Sequence, residues 1–246
     1  GLVQLGPTMV TRGWDWCSGY HISDDIIIGF GHTHLSGTGI GDLGDVALLP
    51  VVSDNERQTT IDRGTEKCVP GFYTVVTGDG VKVELTATSH AGLHRYTFPN
   101  GRTPQLRLDL KQGIGWDKMY DSHFTQLSPT VITGYRYSSG WAKDQRVYFY
   151  AEFNRPVSMT RQEGDSVAYM RATDNNGEAI MARVGISATS IDEARANLNK
   201  ELLSWNLEQV REQADKQWDK ELGRVRIETT NADNRAIFYT ALYHTM

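Results

Sequence analysis

Only two cysteines, Cys17 and Cys68, occur in 246 residues. That is too few for a disulfide framework, and the pair can either bond or stay apart, so the redox compartment stays open. No apolar run is long enough to cross a bilayer, which excludes a membrane-spanning helix. Basic charge is not in excess, since 25 Lys and Arg stand against 30 Asp and Glu. A chain without a cationic face cannot neutralise a phosphate backbone, so nucleic acid is not an expected partner. A Gly-x-Ser-x-Gly elbow, a phosphate-binding loop and an EF-hand are all missing, and Gly29-Phe30-Gly31 is not completed to a dinucleotide fingerprint. Gly1 is preceded by neither methionine nor the charged and apolar regions of a signal peptide. The expectation is a segment whose natural start lies upstream.

What is present reads first as β structure. From Ile26 to about Ile186, short runs rich in Val, Ile, Thr, Tyr and Phe alternate with Gly, Asp, Asn and Pro punctuation, which predicts a large antiparallel β-sandwich. The runs Gly71 to Val76 and Val81 to Ala87 flank Asp79-Gly80, a pair that readily supplies the positive φ angles of a tight hairpin turn. Further strands are expected at His94–Phe98, Gln105–Leu110, Val131–Ser138, Val147–Phe153, Ser166–Ala172 and Ile180–Ile186.

The texture then changes. Ser190-Ile191-Asp192-Glu193 has the spacing of a capping box, and a helical stretch runs from there towards Leu222, bent near Ser204-Trp205. Leu207, Val210, Ala214, Trp218 and Leu222 form an apolar stripe, and Gly223 is placed to end the helix. A last helix is expected from Asn231. Its residues Ala236, Ile237, Phe238, Tyr239, Ala241, Leu242 and Tyr243 are apolar around most of the circumference, which calls for burial against helices expected downstream.

Chemistry-bearing residues concentrate near the start. Gly13-Trp14-Asp15-Trp16-Cys17-Ser18-Gly19-Tyr20-His21 is followed by Gly29-Phe30-Gly31-His32-Thr33-His34-Leu35-Ser36-Gly37-Thr38-Gly39 and Ile40-Gly41-Asp42-Leu43-Gly44-Asp45. Rings interleaved with glycine suit a sugar, whose C–H face stacks on indole or phenol while its hydroxyls pair with backbone and imidazole groups. The competing reading makes Trp14 and Trp16 core residues. His32 and His34, two apart on an extended segment, are expected on one side, as hydrogen-bonding or substrate-facing groups before metal ligands. Asp42 and Asp45 fit turn formation better than a calcium loop. Glu84 and Glu152 are expected to face solvent, and His90 and His94 to flank a turn.

These segments, together with Lys67-Cys68-Val69-Pro70-Gly71-Phe72-Tyr73, Glu84 to Thr88 with Gly92 to Phe98, and Asn234 to His244, resemble family 92 of the glycoside hydrolases. The resemblance implies a mainly β fold: a sandwich domain over 1–188, linker helices over 189–228, and over 229–246 the opening of an (α/α)6 barrel whose remainder is missing. It implies an inverting exo-α-mannosidase acting on mannose-containing glycans, with calcium as cofactor. The general acid, the base and the calcium ligands belong by this resemblance to the barrel, leaving no catalytic residue and no metal ligand in this chain. Trp14, Trp16, Gly19, Tyr20, His32, His34, Ser36 and Thr38 are then expected to form part of the sugar-binding wall. The run Trp16 to His21 looks like that of members cleaving α-1,2-linked mannose, and the family implies a secreted or periplasmic protein. Two other readings stand beside it, a non-catalytic carbohydrate-binding module and a purely structural sandwich.

Overall fold

A computed structural model describes residues 3–36, 39–174 and 179–245. The punctuated runs form fourteen strands among these residues. In chain order they are β1 (Gly6–Met9), β2 (Ile26–Gly31), β3 (Ala47–Pro50), β4 (Thr59–Val69), β5 (Phe72–Thr77), β6 (Lys82–Ala87), β7 (Ala91–Thr97), β8 (Gln105–Asp109), β9 (Lys118–Ser128), β10 (Val131–Ser139), β11 (Gln145–Phe153), β12 (Val157–Gln162), β13 (Val167–Ala172) and β14 (Ile180–Ser187). Every pairing is antiparallel, in the order β12-β13-β8-β3-β2-β4-β5-β6-β7-β14-β11-β10-β9, with β1 beside β2.

Strand β4 makes this a sandwich. Its first residues pair with β2, through Ile26 opposite Thr60, while Ile61 to Val69 pair with β5. One long strand therefore passes from one layer into the other, giving a large, nearly closed antiparallel sheet. Side chains alternate across it: Leu106 and Leu108 of β8, Val83 and Leu85 of β6, and Phe124 of β9 enter a single core with Phe30, Tyr96 and Phe149. The hairpin at Asp79-Gly80 forms as predicted, Gly80 at φ +80°.

Three helices follow. Helix α1 (Ile191–Glu201) begins at Ser190, whose Oγ accepts the Glu193 N–H at 3.1 Å. Helix α2 (Leu207–Leu222) starts at Asn206 and ends at Gly223, and the break between them lies where Ser204-Trp205 was expected. Ala194, Leu198, Leu202, Leu207 and Val210 close a second core over Ala91 and Leu93 of β7 and Tyr150 of β11. Both helices therefore cover the outer face of the second layer, each buried leucine contributing roughly 1.5–3 kcal/mol. Helix α3 (Ala232–Tyr243) begins at Asn231, but none of its residues is buried and Ile237 is 66% exposed. The burial its apolar girdle calls for is not met by the described residues.

Several readings need correction. Glu84 is buried, held between Lys82 and Arg95, and Glu152 is partly buried against Arg183, because the helices cover the face taken to be solvent. His94 flanks no turn but lies inside β7, fully buried. The two cysteines are not bonded to each other: Cys17 is buried and Cys68 lies on the surface of β4.

Candidate functional site

Four connections converge: residues 10–25 before β2, 32–46 after it, 110–117 before β9, and 140–144 between β10 and β11. The stem of the 32–46 excursion is zipped by polar groups. Thr33 Oγ1 donates to Asp45 Oδ2 at 2.6 Å and accepts the Asp45 N–H at 2.9 Å, while His34 bridges Leu43. At its tip Gly41 meets Gly115, where any Cβ on Gly41 would lie 2.9 Å from the Gly115 Cα, and the Trp116 N–H donates to the Gly41 carbonyl at 3.0 Å. Only glycine permits that backbone approach, and Gly115 also takes φ +61°.

Buried charge fixes the cluster. Arg136, fully buried on β10, donates to Asp45 at 2.8 Å and to Asp117, and its remaining N–H groups reach the carbonyls of Leu110 and Gln112. One guanidinium on β10 thus ties two of the connections together. Burial pushes the Asp117 carboxyl above the usual range, with the nearby Asp45 acting in the same direction and Arg136 opposing it. Asp42 accepts the Trp141 N–H at 2.9 Å, the Leu43 N–H at 3.0 Å and the Gln145 amide. Asp42 and Asp45 are therefore anchors between loops, a role beyond the turn formation expected of them.

The expected sugar-wall residues separate into two groups. Trp14 and Trp16 bracket a short 3-10 turn. Trp14 is 65% exposed and lies against Gly39, so it is not a core residue. Trp16 is half-buried, stacked on His21 with centroids 3.9 Å apart, and its Nε1 donates to Asp24 at 3.3 Å. The Ile26 N–H holds the Asp24 carboxyl below its ordinary value, and Trp16 and Arg12 add to this. Gly19, at φ +81°, abuts Ile114, which a side chain there would strike. Tyr20 donates to Glu66 at 3.1 Å beneath the Arg63 guanidinium, and burial followed by Glu66 raises its phenol pKa. Ser36 is exposed and accepts from Gln4 at 2.7 Å, and His34 is half-buried with Nδ1 on the Leu35 carbonyl at 2.9 Å. Thr38 lies outside the described residues.

His32 is placed differently. It is fully buried, with Nδ1 2.7 Å from the Val46 carbonyl and Nε2 3.0 Å from His94 Nε2, while His94 Nδ1 is 2.8 Å from the Tyr96 hydroxyl. A carbonyl only accepts, so His32 must carry its proton on Nδ1 and accept at Nε2. His94 then donates from Nε2 and accepts from Tyr96 at Nδ1. All three groups are satisfied in one neutral arrangement, and burial lowers the His32 pKa to about 4 and holds that of His94 well below the ordinary imidazole value. His32 and His34 therefore do not share a surface.

Sequence reasoning missed two rings. Trp116 and Trp141 are 54% and 68% exposed and, with Trp14, flank the 39–42 tip through Gly41, Asp42 and Gly39. All three follow a glycine, in Gly13-Trp14, Gly115-Trp116 and Gly140-Trp141, and that repeated dipeptide was the available signal. The arrangement presents rings and amide edges. Its buried carboxylates, Asp24, Asp42, Asp45 and Asp117, are already engaged, and among the described residues no group of three or more His, Cys, Asp or Glu side chains gathers as a metal site. The described residues of this loop cluster therefore do not fit calcium.

A sandwich with an aromatic, glycine-rich loop cluster, running on into helices, is a scaffold on which a sugar could stack. Residues 1–187 match the glycosyl hydrolase family 92 N-terminal domain, and 193–246 match the family 92 catalytic domain. The chain belongs to glycosyl hydrolase family 92. It is similar to a family 92 α-mannosidase structure from Bacteroides thetaiotaomicron (TM-score 0.88, 28% identity, covering 98% of this chain and 37% of that one). A second structure from that organism, described as an inverting family 92 mannosidase, gives TM-score 0.83 and 26% identity over 100% of this chain and 35% of that one. An uncharacterized secreted glycosidase of Arthroderma benhamiae is 24% identical over 93% of this chain and 36% of its own length. The chain thus spans about a third of the relatives it matches. No helix among the described residues is long and apolar enough to cross a membrane.

Proposed function

We propose that the chain is the N-terminal part of a secreted or periplasmic exo-α-mannosidase, and that its loop cluster forms part of the wall receiving terminal mannose of glycans, α-1,2-linked by the resemblance of residues 16–21. The observation that carries this is the exposed Trp14 ring beside the glycine-rich 39–42 tip, with Trp16, Tyr20, His34 and Ser36 on the same connections. An exposed indole on a rigidly anchored loop offers a stacking face to a pyranose at little entropic cost. His32 serves by positioning: its bond to Val46 fixes the stem from which His34 and Ser36 project.

Inverting hydrolysis requires one carboxylic acid to protonate the leaving oxygen and one carboxylate to activate water on the opposite face. By the family resemblance both groups, and any calcium, are assigned to the family 92 catalytic domain, whose model matches this chain only over residues 193–246. No step in this chain runs through the ion. The test is Trp14→Ala in the complete protein, assayed on an α-1,2-linked mannobiose. Loss of a stacking partner worth about 1 kcal/mol should raise KM roughly fivefold without a change in thermal midpoint. An unchanged KM would make the ring a bystander and remove the support for the wall.

A further inference from the structure

On the face of β8 turned away from the core lies a cavity of about 190 Å³ whose lining includes Arg57, Gln58, Arg107, Asp109, Lys111 and Glu163, together with Val10 and Gln112 from two of the four converging connections. Arg107 and Asp109 sit on β8 with side chains opposite to the core residues Leu106 and Leu108, yet are only 4% and 1% exposed. They are covered by the 51–58 connection, which is strapped down by Tyr169 donating to the Glu56 carbonyl at 2.9 Å and Gln162 donating to that of Asp54 at 3.2 Å.

The hydrogen bonding is incomplete at one point. Asp109 takes Arg107 Nη1 at 2.6 Å and, through its other oxygen, the N–H groups of Lys111 and Gln112. Glu163 takes Lys111 Nζ at 2.7 Å and Arg57 at 3.1 Å. Both carboxylates are therefore satisfied, whereas Arg107 Nε is buried with no partner among the described residues. A buried donor left unpaired costs about 1–3 kcal/mol. Nε and Nη2 together form the side-on edge of a guanidinium, which meets a carboxylate or phosphate through two parallel N–H···O bonds. Asp109 uses Nη1 and leaves that edge without a partner among the described residues. The charges do not cancel either, because three cations face two carboxylates around the cavity.

We propose that this cavity is a small-oxyanion site, in which a carboxylate or inorganic phosphate takes the side-on edge of Arg107 and neutralises the surplus positive charge, with Lys111 and Arg57 at the mouth. The volume admits a group of that size. It is independent of the proposed mannose wall.

The test is calorimetric titration of the protein with sodium acetate and, separately, inorganic phosphate, at constant ionic strength set by chloride. Saturable binding of either is expected, and the two arms tell which anion fits. Lys111→Ala and Glu163→Gln change side chains that are 56% and 27% exposed, so both variants should fold. They change the charge at the cavity in opposite directions. Lys111→Ala should weaken binding about tenfold and Glu163→Gln should tighten it about tenfold, one charge at the mouth being worth about 1.4 kcal/mol. Failure of both anions to bind, which would leave Arg107 Nε to an ordered water, overturns the proposal. Binding that is indifferent to these substitutions, or that shifts in the same direction in both, also overturns it.

Discussion

Acidification should expose the buried histidine relay. In the neutral arrangement one proton lies between His32 and His94 Nε2 atoms 3.0 Å apart. Protonating His32 at Nε2 sets its N–H against that of His94, protonating His94 at Nδ1 makes the Tyr96 hydroxyl turn from donor to acceptor, and either puts a charge in the core. Burial lowers the His32 pKa from 6.5 to about 4. The folded state therefore binds this proton less readily than the unfolded state does. The relay's stability is fully present above the unfolded pKa of 6.5 and is lost as pH falls towards the folded pKa, at about 1.4 kcal/mol per pH unit. By pH 4 the loss from His32 alone is about 3 kcal/mol, and His94 adds in the same direction. With about 3 kcal/mol per molar urea for a chain of this size, the unfolding midpoint should drop by about 1 M. Asp117, whose carboxyl burial raises, acts with the opposite sign near the carboxylate range, so the relay is best read between pH 6.5 and 5. Urea midpoints of the protein and of a His94→Gln variant across that window decide the matter. A flat midpoint, or an equal slope in the variant, would refute the neutral relay.

Other substitutions probe the same anchors. Gly92→Ala puts a Cβ 3.0 Å from His32 Nε2 and should destabilise by roughly 1–3 kcal/mol, seen as a lower urea midpoint. Arg136→Met leaves Asp45 and Asp117 buried without their cation and should cost about 3–5 kcal/mol, with proteolysis increased in residues 32–46 and 110–117. Ser190→Ala removes the α1 cap and should lower stability by about 1 kcal/mol by thermal unfolding, leaving the loop cluster intact.

Local rules carried the sequence reading wherever one residue's neighbours in the chain decide its structure. The Asp79-Gly80 hairpin, the Ser190 cap, the break at Ser204-Trp205 and the start of α3 at Asn231 all form where expected. Strand β9 escaped because it is a sheet edge: Lys118-Met119-Tyr120-Asp121-Ser122 shows no alternation when both sides meet water. Strand β4 escaped for a related reason. Its residues Asp62, Lys67 and Cys68 are exposed beyond the point where it changes layer. The site divides the same way. Trp14 and Ser36 could be read as surface groups from a glycine-rich segment, but nothing local to His32 announces a partner 62 residues away. Glu84 was misjudged because strand alternation names two faces and cannot tell that α2 covers one of them.

The division between His32 and His34 shows how such a loop is built. A segment that presents rings to a ligand must be glycine-rich enough to let backbones meet, as at Gly41 and Gly115, and that freedom costs order in the folded state. Here the order is restored from below, by polar groups whose bonds are made inside the protein: the neutral His32–His94–Tyr96 relay beneath Val46 and the Arg136 cluster beneath the adjacent Asp45. Val46, held at φ +54° with its carbonyl on His32, carries strain that a β-branched residue tolerates only when its surroundings impose it. Replacing the relay by apolar side chains could keep the core filled, yet it would release Val46 and with it the stem. Stability and loop position should therefore separate in such a variant: a His32→Leu, His94→Leu, Tyr96→Phe protein that melts close to the parent, but whose amides at residues 33–36 and 39–46 exchange faster with solvent, is what this arrangement predicts. Unchanged exchange there would mean that the Asp45–Thr33 zipper alone sets the loop.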